Sequence, residues 1–308
     1  MRWTFLFRAA LIVGISFLPA AFGADGAELK WNENSACAVS GGVCGVNSTK
    51  NADVSDVLQE IRAHVEKDML RLPSNIDACV RELYEEREKD RDAEEYCGDE
   101  YARTYSSDEW EYYGEDHRLP IVVTIKNKTG ILYIPAFHDD TDKEFEARAF
   151  ELLSRGATRL YIDLRMNGGG SVEGALKVLY RFAREGDRFL TLRFRTRGDM
   201  VYDVEAVRKE YDLENPPGIF RDIPVCVVID MHSASASEIV AGTMKDWGYC
   251  VAGGTSFGKG IGQIVFPLPD GSFLKITAFE YFVGNMQTKI HGIGVVPNAP
   301  LPSELKKK

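Results

Sequence analysis

Three short segments carry side chains able to do chemistry. Ser233-Ala234-Ser235-Ala236-Ser237-Glu238 lies between an apolar run at Val225–Ile229 and a stretch with Val240, Met244 and Trp247 on one helical side. A serine on a strand-to-helix elbow presents its hydroxyl at the C-terminal edge of a sheet, beside free helix amides. Helix capping by Ser235 or Ser237, with Glu238 closing a box back to Ser235, explains one serine but not three spaced by alanine. In Ser256-Phe257-Gly258-Lys259-Gly260-Ile261-Gly262-Gln263 a lysine sits between two glycines. That is either a surface turn or an amine fed into a pocket, where Gln263 could orient it by a hydrogen bond. Lysine acts as a base only where desolvation keeps it neutral. The third segment, Asp163 to Gly170, runs from a buried strand into three glycines and then a helix. There the backbone can approach a ligand closely, and free N–H groups can hold negative charge. No Gly-Lys-Ser/Thr follows it and the Rossmann glycine spacing is absent, so a nucleotide loop is disfavoured.

The elements that must position these segments are legible from periodicity. Residues 121–125 and 131–134 are β-rich and joined by Asn127-Lys128-Thr129-Gly130, which reads as a hairpin. A helix starts at Asp142 with Phe145, Ala149, Leu152 and Leu153 on one face and ends at Gly156. Residues 160–164 form a buried strand, and the helix after the glycines carries Val172, Leu176, Leu179 and Ala183. Leu190, Leu192 and Phe194 alternate with polar residues as in a half-exposed strand, and further strands are expected at 225–229, 249–252, 264–268 and 273–283. Strand alternating with helix predicts an α/β fold: a mainly parallel sheet with crossover helices and antiparallel additions. From Ala24 to Arg118 the chain is polar, acidic and irregular. Helical spacing over 54–70 and a dense charge run over 81–95 predict a small helical, cysteine-containing N-terminal domain at 24–118, ahead of a core at 119–308. Tyr101, Tyr105, Trp110, Tyr112 and Tyr113 are expected to pack against that core.

Together the three segments, followed by Ile290-His291-Gly292-Ile293-Gly294, resemble the C-terminal processing peptidases, or tail-specific serine proteases, over roughly residues 119–300. The resemblance implies an endopeptidase that cleaves proteins through an acyl-enzyme. Ser235 matches the nucleophile, Lys259 the general base and Gln263 the glutamine that positions it. Backbone N–H groups of Gly170 and Ala236 match the oxyanion hole, with Gly169 as the alternative to Gly170. Asp246 matches a position in the family's active-site neighbourhood and is expected to support structure. His232, three residues before Ser235, is the rival base, but so close a pair would need unusual backbone geometry. His138 and His291 remain candidate pocket residues. No metal cluster is visible, and no cofactor is expected. The family usually carries a PDZ domain ahead of its core; residues 24–118 are too short for one, so an adaptor protein is a candidate partner. The interval from Ser235 to Lys259 is one residue shorter than the family's, and Asn298 stands where an aspartate is common.

Composition sets the remaining bounds. The chain has 308 residues, a formal net charge of -10 and 44% hydrophobic residues, enough for a packed core and unfavourable for binding nucleic acid or anionic lipid. Arg2 and Arg8 flank an apolar stretch from Ala9 to Leu18, and Ala21-Phe22-Gly23 offers small residues for cleavage. Residues 1–23 therefore read as a signal peptide, and the mature chain, with no membrane span, is expected in the periplasm or outside the cell. In that compartment Cys37, Cys44, Cys79 and Cys97 are expected to hold at least one disulfide. Cys226 and Cys250, in apolar strand-like runs, are expected as buried free thiols.

Overall fold

The computed structural model describes residues 53–86, 97–114 and 118–306. The expected signal peptide and Cys37 and Cys44 lie outside them. Helix α1 (Val54–Asp68) begins where Asp53 accepts the Ser55 N–H, and it buries Val57, Ile61 and Val65 at four-residue intervals. Helix α2 (Ile76–Glu86) buries Cys79, Val80 and Leu83 beside them. A short strand β1 (Arg103–Tyr105) and helix α3 (Ser107–Gly114) follow.

Next come strands β2 (Val122–Lys126) and β3 (Thr129–Tyr133), helix α4 (Thr141–Ser154), strand β4 (Arg159–Asp163) and helix α5 (Val172–Tyr180). Strands β5 (Arg188–Phe194) and β6 (Gly198–Asp203) and helix α6 (Val204–Glu210) lead to β7 (Val225–Ile229), helix α7 (Ala236–Asp246) and β8 (Cys250–Gly253). The chain closes with β9 (Ile261–Pro267), β10 (Phe273–Val283) and β11 (Thr288–Lys289).

Two sheets result. One has the order β2-β3-β4-β7-β8; β2 and β3 form the antiparallel hairpin, and the other three pairings are parallel. Its interior strand β7, flanked by β4 and β8, is buried at every position, as a strand covered on both faces must be. The expected antiparallel additions form a sheet of their own around β10, which pairs with β1, β5, β9 and β11. The hairpin β5–β6 and the helix α6, which the polar sequence over 198–210 conceals, complete that side. A large hydrophobic cluster joins α4, α5 and α7 to the parallel sheet and to β5 and β10. A smaller one seats α1 and α2 on Phe266, Leu274 and Ile276 of β9 and β10.

The cysteines divide as the register dictates. Cys79 and Cys97 form a disulfide, in line with the expectation of one among the N-terminal set. Cys226 and Cys250 are not free thiols: they too are disulfide-bonded. Apolar flanks correctly mark them as strand residues, but pairing depends on register. The parallel pairing of β7 with β8 puts Cys226 directly opposite Cys250, with Cα atoms 4.5 Å apart.

Candidate active site at the C-terminal edge of the parallel sheet

The three chemical segments meet where β4 and β7 end. Ser235 is the N-cap of α7 and has φ 54° and ψ -117°, a conformation costly for a residue with a Cβ. Such strain is what turns a side chain outward at an elbow. The three serines have different employments. Ser233 Oγ donates to the Leu164 carbonyl at 2.8 Å and accepts the Asp230 N–H, while Ser237 Oγ donates to the Asn167 carbonyl at 3.0 Å. Both are tethers to the glycine segment and fully buried. Ser235 Oγ faces the Glu238 N–H in a capping box and, among the described residues, its own proton goes to no acceptor.

The glycine segment packs directly on the elbow. A Cβ on Gly169 would lie 2.8 Å from Ser235 Cβ and 3.1 Å from Ala236 N, and one on Gly170 would strike the Phe137 carbonyl oxygen at 2.1 Å. Asn167 builds this turn: its Nδ2 donates to the Ile134 carbonyl and its Oδ1 accepts the Gly169 N–H at 2.8 Å. The Gly169 amide is thus occupied. Among the described residues, the Gly170 and Ala236 N–H groups have no hydrogen-bond partner.

Lys259 is 6% exposed. Burial pulls its amine down to about 8, against the smaller opposing pull of Glu100, Asp99 and Glu238. The bulk its own loop lacks comes from afar: the Tyr101 ring sits 4.3 Å from Nζ. Gln263 lies on β9, not in a loop, and its Nε2 donates to Thr277 Oγ1 at 3.3 Å.

Two residues that the sequence marks only as a capping partner, Glu238, and as part of an expected strand, Tyr281, lock the serine and lysine segments together. Glu238 Oε2 accepts the N–H groups of Ser235 (2.9 Å) and Lys259 (2.8 Å); Oε1 accepts Ser256 Oγ and the Gly258 N–H, both at 2.6 Å. Ser256 Oγ also accepts the Val295 N–H, so its own proton faces Glu238. Burial pushes the Glu238 carboxyl up, and these four donors draw it back toward the carboxylate. Opposite it, the buried Tyr281 hydroxyl donates to the carbonyls of Ser235 (3.2 Å) and Lys259. Glu238 was visible in the sequence only as half a capping box; Tyr281 read as one more strand aromatic.

Of the other flagged residues, Asp246 and Asn298 have structural employment. Asp246 accepts the backbone N–H groups of Asn285 and Met286 at the far end of α7. Asn298 accepts the Val251 N–H and donates to the Tyr249 carbonyl, a pair of roles an aspartate could not fill. His232 is half-buried in the turn before the elbow, its backbone N–H donating to Asp230 Oδ1. His291 packs on Gly260, and the His138 backbone N–H donates to Thr141 Oγ1. Among the described residues no cluster of His, Cys, Asp or Glu could hold a metal ion. An open groove of about 490 Å³ lies at the opposite edge, where β4, β7 and β8 begin; it is lined by the Cys226–Cys250 pair and none of the chemical segments.

Residues 128–301 match the peptidase family S41. The chain belongs to this family. It is 30% identical over 191 residues to the protein named "Probable CtpA-like serine protease" of Staphylococcus haemolyticus, covering 62% of this chain and 36% of that one. The Staphylococcus aureus (strain COL) protein of the same name is 30% identical over 177 residues, 57% of this chain and 34% of the relative. The chain thus spans about a third of the length of these relatives. Among solved structures, the photosystem II D1 C-terminal processing protease is 25% identical with a TM-score of 0.50, covering 61% of this chain and 49% of that one. A lipoprotein from Streptococcus agalactiae shares the fold more completely: TM-score 0.62, 16% identity, 84% of this chain and 96% of that one.

Proposed function

We propose that this S41 member is an exported serine endopeptidase that cleaves peptide bonds of protein substrates. Ser235 is its nucleophile and Lys259 its general base. Neutral Lys259 Nζ takes the hydroxyl proton as Ser235 Oγ bonds to the scissile carbonyl carbon. The N–H groups of Gly170 and Ala236 receive the oxyanion, each donor contributing about 3 to 4 kcal/mol to the transition state. The lysine then passes its proton to the leaving amine, and water, deprotonated by the same lysine, hydrolyses the ester. Gln263 positions the lysine. The observation that carries the reading is the division of labour at the elbow: the hydroxyls of Ser233 and Ser237 donate to carbonyls, while that of the strained Ser235 donates to none among the described residues and lies next to two unpartnered amides.

Export through a signal peptide at 1–23 fits the Cys79–Cys97 and Cys226–Cys250 disulfides, since such bonds persist in oxidising compartments. Among the described residues no helix is long and apolar enough to cross a membrane. The test is cleavage of an unfolded protein by the mature chain. Ser235→Ala abolishes it, whereas Ser233→Ala and Ser237→Ala keep a measurable fraction. Turnover surviving in Ser235→Ala would assign the chemistry elsewhere.

A further inference from the structure

Residues 97–101 lie outside the matched family region, yet they touch both Lys259 and the partner of Gln263. The turn is held firmly. Cys97 is bonded to Cys79 of α2, Asp99 Oδ1 accepts the Tyr101 N–H at 3.0 Å, and the chain then enters β1, paired with β10 from Arg103 to Tyr105. Asp99 seizes Thr277 at the β10 irregularity: Oδ2 accepts the Thr277 N–H and Oδ1 accepts Thr277 Oγ1, both at 2.9 Å. The Thr277 carbonyl is taken by the Leu70 N–H, just past α1.

Proton counting gives this network a direction. The carboxylate of Asp99 can only accept, so the single Thr277 hydroxyl proton points to it. The Thr277 oxygen can then only accept from Gln263, which must present its NH₂ end. The Gln263 carbonyl oxygen is thereby kept as the free end, the one able to accept from an amine. Meanwhile the Tyr101 ring lies over Lys259 Nζ and takes the place of solvent.

We propose that the Asp99–Tyr101 turn is a positioning element of the active site: Tyr101 excludes water from Lys259, and Asp99, through Thr277, fixes which end of Gln263 faces an amine. This rests on Lys259 and Gln263 serving as proposed above. The charged and titratable groups around the amine are Asp99, Glu100 and Tyr101 on the turn, Glu238 on α7, and Lys275 and Tyr281 on β10, with His291 on the neighbouring segment.

The test follows Lys259 itself, by NMR titration of its labelled Cε signal, assigned by its loss in Lys259→Met, alongside the pH profile of kcat/KM. In the parent the signal titrates near pH 8. Tyr101→Ala moves that midpoint up by about one unit, since burial is the dominant cause of the depression, and the acid limb of the profile moves with it. Tyr101→Phe moves neither. Asp99→Asn lowers kcat about tenfold, and the loss disappears in a Gln263→Ala background. An unmoved Tyr101→Ala midpoint, or a gain of activity showing that the ring merely blocks the site, overturns the Tyr101 role. A full Asp99→Asn loss in the Gln263→Ala background overturns the relay. Hydrolysis independent of Ser235 would sink the assigned reaction instead, while the NMR midpoint still decides what Tyr101 does.

Discussion

Lys259 and Lys275 both have amines held far below the ordinary lysine range, at about 8 and about 7, and burial is the leading cause in each. Their surroundings diverge from there. Lys275 is one step of β10, its Nζ donating to the Tyr105 hydroxyl at 2.6 Å, on a sheet face made by β1 and β10. Lys259 stands between two glycines, and its N–H and carbonyl are clamped by Glu238 and Tyr281, the same two groups that clamp Ser235. A depressed lysine therefore reports burial; it becomes a candidate base only where a second device holds the backbone of a candidate nucleophile in the same grip.

Lys259→Met separates the two lysines most sharply. Activity falls by about a thousandfold or more, and Lys259→Arg is equally inert because guanidinium does not release its proton. Stability moves the other way. The folded pKa lies near 8 and the unfolded one near 10.5, so the unfolded chain binds more protons between them and parent stability rises with pH through that window. The Met variant is thus more stable by about 3 kcal/mol at pH 7, and this advantage fades as pH climbs toward 10.5, which denaturant midpoints at pH 7 and pH 9 will show. A Met variant less stable than the parent at pH 7 would return Lys259 to a structural role.

Glu238→Gln comes next. The amide keeps the shape but turns an NH₂ toward two donors, so about a hundredfold of activity and about 2 to 4 kcal/mol of stability are lost. Kinetics and denaturant unfolding check both, and near-parent values would show that the clamp is dispensable. Lys275→Met keeps activity within about threefold, and stabilises the protein at neutral pH by the same sign argument, its window running from about 7 to 10.5. Should it lose activity as Lys259→Met does, the distinction between the two lysines fails. The smallest effect on turnover belongs to Cys226→Ala with Cys250→Ala at the opposite edge of the sheet. Unfolding becomes easier by up to about 3 kcal/mol while kcat/KM is unchanged.

What could be read in advance follows from physical range. The chemical segments are local patterns: a serine after a buried strand and before an apolar helix face, three glycines in the same setting, and a lysine flanked by glycines. Periodicity gave the hairpin at β2–β3 and all of β10 because one apolar face repeats within each element. Register is not local, so the Cys226–Cys250 bond was missed although both strands were expected. Nor is covering bulk. Tyr101 reaches Lys259 across more than a hundred and fifty positions, and nothing in the acidic run around Asp99 signals Thr277 as its partner. Glu238 was half visible, because a capping box explains one of its four hydrogen bonds and conceals the other three.

The central claim is that Ser235 is a nucleophile made reactive by Lys259, and covalent trapping tests it without knowledge of the substrate. The mature chain is treated with a fluorophosphonate at pH 8, digested and mapped by mass spectrometry. The account predicts one phosphonylated residue, Ser235, with labelling lost in Lys259→Met and retained in His232→Ala. Labelling at another serine, or at Ser235 with undiminished rate in Lys259→Met, would contradict it.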